Sequence, residues 1–256
     1  VELQNDREVV MAAMKKDGTT LLLVSDEMKN DQEIVMAAVK QYAWALDYAS
    51  EEMKNNHEVV MAAVKNEGSA LQFASNELKG DFDIVVAAVK QSSYALQYAS
   101  KALINDQYIV MAAVKQYGWA LDFASEELKD NQEVVMGAVE NNGKALFYAS
   151  EEMKNNQEVV MAAVKEDETA LQFASNELKG DFDIVMAALK MDVWILEFAS
   201  DELKGNVDIV MAAIKKKGFT LKYASNGLKG NFDIVMAAVA IKQCGLALRY
   251  ASKELT

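Results

Sequence analysis

The sequence predicts an all-α fold, an α-solenoid of ten two-helix repeats of 25 residues stacked as a right-handed superhelix. Three observations predict it. A Met-Ala-Ala segment returns at constant spacing, with Met11, Met36, Met61, Met111, Met136, Met161, Met186, Met211 and Met236 in one column and Val86 in its single missing place. A second mark, Ala-Ser, ends at Ser50, Ser75, Ser100, Ser125, Ser150, Ser175, Ser200 and Ser225, preceded by Val24-Ser25. It comes two residues late at Ser252, which places a two-residue insertion at Ala240-Ile241 in the last repeat. Proline is absent, which suits helices joined by tight turns, because proline breaks helix interiors and punctuates loops. Residues 1–256 read as one helical-repeat domain without a linker.

Each element of a repeat has its own reason. Asn30-Asp31-Gln32-Glu33 places Asn30 as N-cap with Glu33 three residues on, a capping-box spacing. The apolar run Ile34 to Val39 follows, and Lys40 suits the negative end of the helix dipole. Glycines at 18, 68, 118, 143, 218 and 245 stand just past that helix, where a left-handed residue ends one at little cost. A second helix is expected from Ala45 to about Lys54, burying Leu46, Ala49 and Met53 at i, i+3 and i+7 and turning Asp47, Glu51 and Glu52 to water. Tyr48 heads an aromatic column that continues through Phe73, Tyr98 and Phe123 to Tyr250. The first helix is apolar all round and is expected to be covered on more than one side. Its alanine pair admits close neighbours, and no repeat can bury this face alone. A strand over Ile34–Val39, as in a leucine-rich repeat, is the competing architecture. The helix-forming Met-Ala-Ala, the preceding cap and the lack of an asparagine or cysteine ladder weigh against it.

The formal net charge is −13, which repels phosphate backbones and anionic headgroups and favours partners that are basic or neutral at the contact. No nucleic-acid partner is expected. No apolar run approaches the roughly 18–20 residues needed to span a bilayer. The single cysteine, Cys244, excludes an internal disulfide and fits a soluble protein of a reducing compartment, cytoplasm or organelle interior.

The pattern Glu-Val-Val-Met-Ala-Ala-Val-Lys, a Gly two or three residues on, then Ala-Leu-x-Tyr-Ala-Ser-x-Glu-Leu, resembles a family of short helical repeats of roughly 25 residues, catalogued as a domain of unknown function and found in tandem arrays. The likeness covers nearly the whole chain and departs from it in the tenth repeat, with its insertion and Cys244. It implies an array and brings no activity or site residues with it.

Variation along the chain concentrates at the end of the first helix, in the turn that follows, and on the open side of the second helix, a column that includes Asp47, Phe147 and Lys222. Aromatic residues there, Tyr42, Trp44, Tyr94, Tyr117, Trp119, Trp194 and Phe219, are the candidate protein-binding anchors. The competing reading is that they pack between neighbouring repeats. Asp81-Phe82-Asp83 and Asp181-Phe182-Asp183 hint at calcium, but Val85 and Val185 occupy the fifth loop position, so helix capping is expected instead. His57, the only histidine, is expected at the surface, and Cys244 as an inert thiol. Glu51-Glu52 recurs from repeat to repeat, whereas a catalytic pair needs a unique environment, so a solvated acidic face is expected. Glycine-rich phosphate loops are missing from the sequence. No catalytic residue, cofactor or metal ligand is assigned, and the chain is not expected to be an enzyme.

These readings converge on a noncatalytic repeat protein that binds or scaffolds another protein, free or as a subunit of a larger complex. Two alternatives remain. The ladder Lys15, Lys40, Lys65, Lys90, Lys115, Lys165, Lys190 and Lys215, broken by Glu140, raises a modular nucleic-acid reader, which the net charge opposes. An aromatic groove for a small ligand or pigment is the other. Solenoid ends need polar caps. Leu21-Leu22-Leu23-Val24 near one end and Thr256 at the other lead us to expect ends that continue into further chain or dock on a partner.

Overall fold

The computed structural model describes residues 6–241 and 245–251. They fall into two compact units, Val1–Leu128 and Lys129–Thr256. Each repeat opens with a long α-helix. In the first compact unit these are α1 (Arg7–Met14), α2 (Gln32–Gln41), α3 (His57–Asn66), α4 (Phe82–Gln91) and α5 (Gln107–Gln116). In the second they are α6 (Gln132–Asn141), α7 (Gln157–Glu166), α8 (Phe182–Met191), α9 (Val207–Lys216) and α10 (Phe232–Ala240). Within each compact unit successive long helices pack side by side, and the segments that follow them form a second row against them. The described residues contain no strand, so Ile34–Val39 is helical.

The second part of the repeat is not one α-helix. Ala43–Tyr48 is a 3-10 helix, and Glu51–Lys54 is a single α-turn. Between them Ala49 (φ −70°, ψ 159°) and Ser50 (φ −63°, ψ 160°) are extended. The pattern expected of one helix still buries its residues. Ala43, Leu46 and Ala49 recur every three residues, the 3-10 period, and are buried together with Met53. The break is set by Ser50. Its Oγ accepts from Met53 N at 3.2 Å, while its backbone N–H donates to Lys29 O of the preceding repeat at 3.0 Å. A continuous α-helix would have spent that N–H internally.

Two further expectations are corrected. The N-cap of α2 is Asp31, whose carboxylate accepts from Glu33 N and Ile34 N, so the capping box on Asn30 does not form. Asn30 instead ends the preceding α-turn and clasps the next repeat. Its Oδ1 accepts from Ser50 Oγ, and its Nδ2 donates to Glu52 Oε2 at 2.9 Å. The clasp recurs between Asn55 and Ser75, Asn105 and Ser125, Asp130 and Ser150, and Asn155 and Ser175. The turn glycines are not left-handed either. The long helix ends on an extended residue, Glu67 at φ −145° for α3, and Gly68 lies against the next long helix, where a Cβ would meet Ala88 O at 2.3 Å. Close approach, not a positive φ, demands glycine here. Gly143 meets Ala163 O in the same way.

The long helices are also less covered than an all-round apolar run suggested. In α2 the buried side chains are Ile34, Val35, Ala38 and Val39. The opposite strip, Glu33, Met36, Ala37 and Lys40, stays exposed or half-exposed. Each fully buried Ile, Leu or Val contributes about 1.5–3 kcal/mol of transfer free energy, so the core stripe repeated in every helix carries the array.

Candidate protein-binding surfaces

Two surfaces remain open in both compact units. The first is the turn between the long helix and the 3-10 helix. Trp44 keeps 41% of its surface exposed. Its Nε1 donates to Ser69 Oγ at 3.2 Å, and its ring meets Phe73 edge-on at 5.6 Å. Tyr94 is 49% exposed; its hydroxyl donates to Tyr117 Oη at 3.2 Å, and its ring lies 5.3 Å from Tyr117 and 6.1 Å from Phe123. In the second compact unit Trp194, 41% exposed, lies 4.8 Å from Phe219 and 6.0 Å from Tyr223.

The structure thus brings together Tyr94 with Tyr117 and Trp194 with Phe219. Trp44 pairs instead with Ser69 and with Phe73 of the aromatic column, neither of them among the candidate anchors. Trp119 is half-buried, and Tyr42 is exposed, with its Cβ beside Gly18. These ring contacts of Trp44, Tyr94 and Trp194 reach the following repeat, so the aromatics pack between repeats on one side and face solvent on the other. Two residues of the variable second-helix column, outside the anchor set, join this surface: Phe147, 52% exposed and 5.2 Å from Phe173, and Lys222, whose Nζ stands 4.5 Å over Trp194 and 4.3 Å over Tyr223. Tyr223 donates to Glu197 Oε2 at 3.0 Å. The hydrogen bond with Tyr223 raises the Lys222 ammonium above its ordinary range, while burial pushes the Tyr223 phenol up.

The second surface is the open strip of the long helices, which forms shallow troughs where two helices adjoin. Between α3 and α4 a trough is lined by Met61, Lys65, Asp83, Val86, Ala87, Lys90 and Gln91. Between α6 and α7 one of about 490 Å³ is lined by Met136, Glu140, Glu158, Met161, Ala162, Lys165 and Glu166. The methionine column had read as core. Its signal was present nonetheless: Glu33 and Lys40 stand three residues before and four after Met36, on one helical face with it.

Other candidates settle into structural roles. Asp81 and Asp181 cap their helices, accepting from Ile84 N and Ile184 N. His57 is exposed, with Nε2 3.8 Å from Asp81 Oδ1. Glu51 and Glu52 are exposed, Glu51 paired with Lys54 at 3.0 Å. Cys244 lies outside the described residues. Asp17, Asp31 and Asp167 titrate below the ordinary carboxylate range. At Asp17 the cause is hydrogen bonding from Thr19. At Asp31 and Asp167 burial pushes up but is outweighed, by Arg7 and the capped amides in one case and by Thr169 and Lys144 in the other. That direction marks caps and ion-pair partners, not proton donors.

The family described as Domain of unknown function (DUF4116) matches residues 2–54, 56–104, 106–154, 156–204 and 206–256. The chain belongs to that family. Each DUF4116 match spans two of the 25-residue repeats, and successive matches part at Asn55, Asn105, Asn155 and Gly205, the residues that end an α-turn or 3-10 turn at a repeat boundary. Neither a curated protein nor a solved structure matches the chain. No helix among the described residues is long and apolar enough to cross a membrane.

Proposed function

We propose that this chain is a noncatalytic repeat protein that binds or organises another protein, as a free adaptor or as a subunit of a larger assembly. The observation that carries this reading is the set of large aromatics held half-open at the turns. Trp44, Tyr94 and Trp194 each retain two-fifths or more of their surface to solvent after packing on the next repeat. Tryptophan and tyrosine are the side chains that most often anchor interfaces, because they bring large area at low entropic cost once their rings are fixed. The ring contacts with the following repeat provide that fixing. The net charge of −13 favours a partner that is basic or neutral where it touches.

The test is crosslinking with mass spectrometry in native extract, followed by reconstitution with the purified neighbour. Trp44→Ala and Trp194→Ala are expected to weaken that complex at least about tenfold each while the far-ultraviolet circular dichroism stays helical. Undiminished binding by both variants removes the aromatic surface from the reading. Tight, salt-dependent binding of an oligonucleotide overturns the reading itself.

A further inference from the structure

The open strip of the long helices is chemically uneven, and one trough stands apart. At the last position of a long helix, the side chain can reach back onto the C-terminal carbonyls of the helix before it. Asn66 Nδ2 donates to Val39 O at 3.1 Å and Lys40 O at 3.3 Å. Lys216 does the same with an ammonium, its Nζ donating to Leu189 O at 2.9 Å and Lys190 O at 2.5 Å. Such carbonyls lack intrahelical partners and form the negative end of the helix dipole, so donors and cations suit them.

Between α6 and α7 this arrangement is reversed. The last residue of α7 is Glu166, which as a carboxylate accepts and cannot donate. Among the described residues no side chain donates to Val139 O or Glu140 O. The last turn of α6 holds no basic residue, and Glu140 stands where eight of the other nine repeats carry lysine. Three glutamates, Glu140, Glu158 and Glu166, therefore line the trough at the C-terminus of α6 together with Met136, Met161 and Ala162, and Lys165 is the one cation of the lining. Glu158 at the rim is steadied by Gln132 Nε2 at 2.8 Å. The α3–α4 trough has two lysines and one aspartate in its lining.

We infer that the α6–α7 trough receives a lysine-bearing apolar segment of a partner protein. The incoming ammonium takes the place on Val139 O and Glu140 O that Lys216 takes on α8 within its own chain, flanked by Glu140 and Glu166. An adjacent apolar side chain lies on Met136 and Met161, whose flexible thioethers adapt to varied shapes. This inference rests on the protein-binding reading above and specifies the chemistry of one contact.

The probes are two labelled synthetic peptides, one alternating leucine with lysine and one alternating leucine with glutamate, titrated against the full chain by fluorescence anisotropy. The lysine peptide is expected to bind, more weakly as salt screens the charges, and the glutamate peptide not to bind. Glu140→Lys introduces the residue of eight sibling repeats, and Glu166→Asn that of Asn66, so both variants are compatible with the fold. Each should weaken the lysine peptide at least about tenfold, the scale of truncating one member of a close charge pair. Asp201→Lys makes the same charge change outside the trough, at a position that is Lys101 in the fourth repeat, and should leave affinity within about twofold, as for a screened distant charge. Equal weakening by Asp201→Lys and Glu140→Lys, or no weakening by Glu140→Lys, overturns the inference, because the peptide then senses only net charge. A native partner kept by Glu140→Lys and lost by Trp44→Ala overturns the trough while leaving the broader reading in place. Absence of any crosslinked neighbour overturns the broader reading whatever the peptides do.

Discussion

Ser75 and Ser100 occupy one repeat column, yet their hydroxyls have different work. Ser75 Oγ accepts from Leu78 N at 3.2 Å and donates to Asn55 Oδ1 of the preceding repeat. At Ser100 the clasp partner is replaced by Gly80, and the hydroxyl has no hydrogen bond among the described residues. Both backbone amides still donate across the boundary, to Lys54 O at 2.9 Å and Lys79 O at 2.8 Å. Ser75→Ala therefore loses the acceptor of the Leu78 amide, about 1 kcal/mol, and an exposed hydroxyl–amide bond, about 0.5–1 kcal/mol. Asn55 keeps its 3.1 Å bond to Glu77, so no buried group is orphaned. The sum is about 1.5–2 kcal/mol, whereas Ser100→Ala should stay within about 0.5 kcal/mol of the parent. Urea midpoints followed by circular dichroism compare the two. Hydrogen exchange adds a local readout, since 1.4 kcal/mol corresponds to about tenfold faster opening at the Leu78 amide. Equal losses for both variants would refute the assignment of the hydroxyl as clasp and as acceptor of the turn amide.

The converse change should stabilise. Gly205 has φ −95° and ψ −4°, close to the −101° and 4° of Asn55, and its added Cβ would lie 3.2 Å from Glu202 O, a tight contact at a backbone conformation that Asn55 already accommodates, and 3.6 Å from Ser225 Oγ. Gly205→Asn should raise stability by about 1 kcal/mol through a new clasp and a stiffer unfolded chain, read as a higher urea midpoint. Asp167 titrates below its ordinary range when folded, so its contribution is complete above the unfolded value of about 3.9 and is lost as pH falls through the folded value. Asp167→Asn should lower stability at neutral pH and flatten its decline in acid, measured by acid titration under circular dichroism. Lys222→Met removes the ammonium from the faces of Trp194 and Tyr223 and should lower the urea midpoint slightly. Ile84→Ala empties a fully buried position of α4 and should cost about 2–5 kcal/mol by thermal or urea unfolding.

The repeat period, the long helix and the buried columns were all legible, because spacing and apolar periodicity report burial directly. What the pattern could not separate was one helix from two segments. Leu46, Ala49 and Met53 are buried in both cases, and the deciding group, the Ser50 amide, finds its partner in another repeat. A local sign was available: serine followed by Glu51 and Glu52 is itself an N-terminal helix signature. Asn30 and Asp31 are both good caps, and only the position of Ser50 determines which of them caps and which clasps. Gly68 misled because helix stops and close backbone approaches select the same residue. For the site, aromatic identity at the turn was visible and its neighbours were not. Trp44 and Phe73 are 29 residues apart, a separation that means contact only once repeat stacking is known. The α6–α7 trough was hidden because Glu140 read as a gap in a lysine ladder, and its pairing with Glu166 requires the adjacency of two helices.

The Asn–Ser clasp joins positions 20 residues apart, and the companion amide–carboxylate bond spans 22. Every such address is relative, so copying a whole 25-residue segment that carries the asparagine supplies the next serine with its acceptor, whereas Gly80 in that place leaves Ser100 without one. Segments 50–90 and 150–190, which differ at seven of 41 places, behave as interchangeable parts under this rule. An array held by offset-addressed bonds can grow or shrink in whole steps without renegotiating its interior. Length becomes a quantity that inheritance can adjust freely, while any insertion out of step with the period leaves polar groups facing the wrong neighbour.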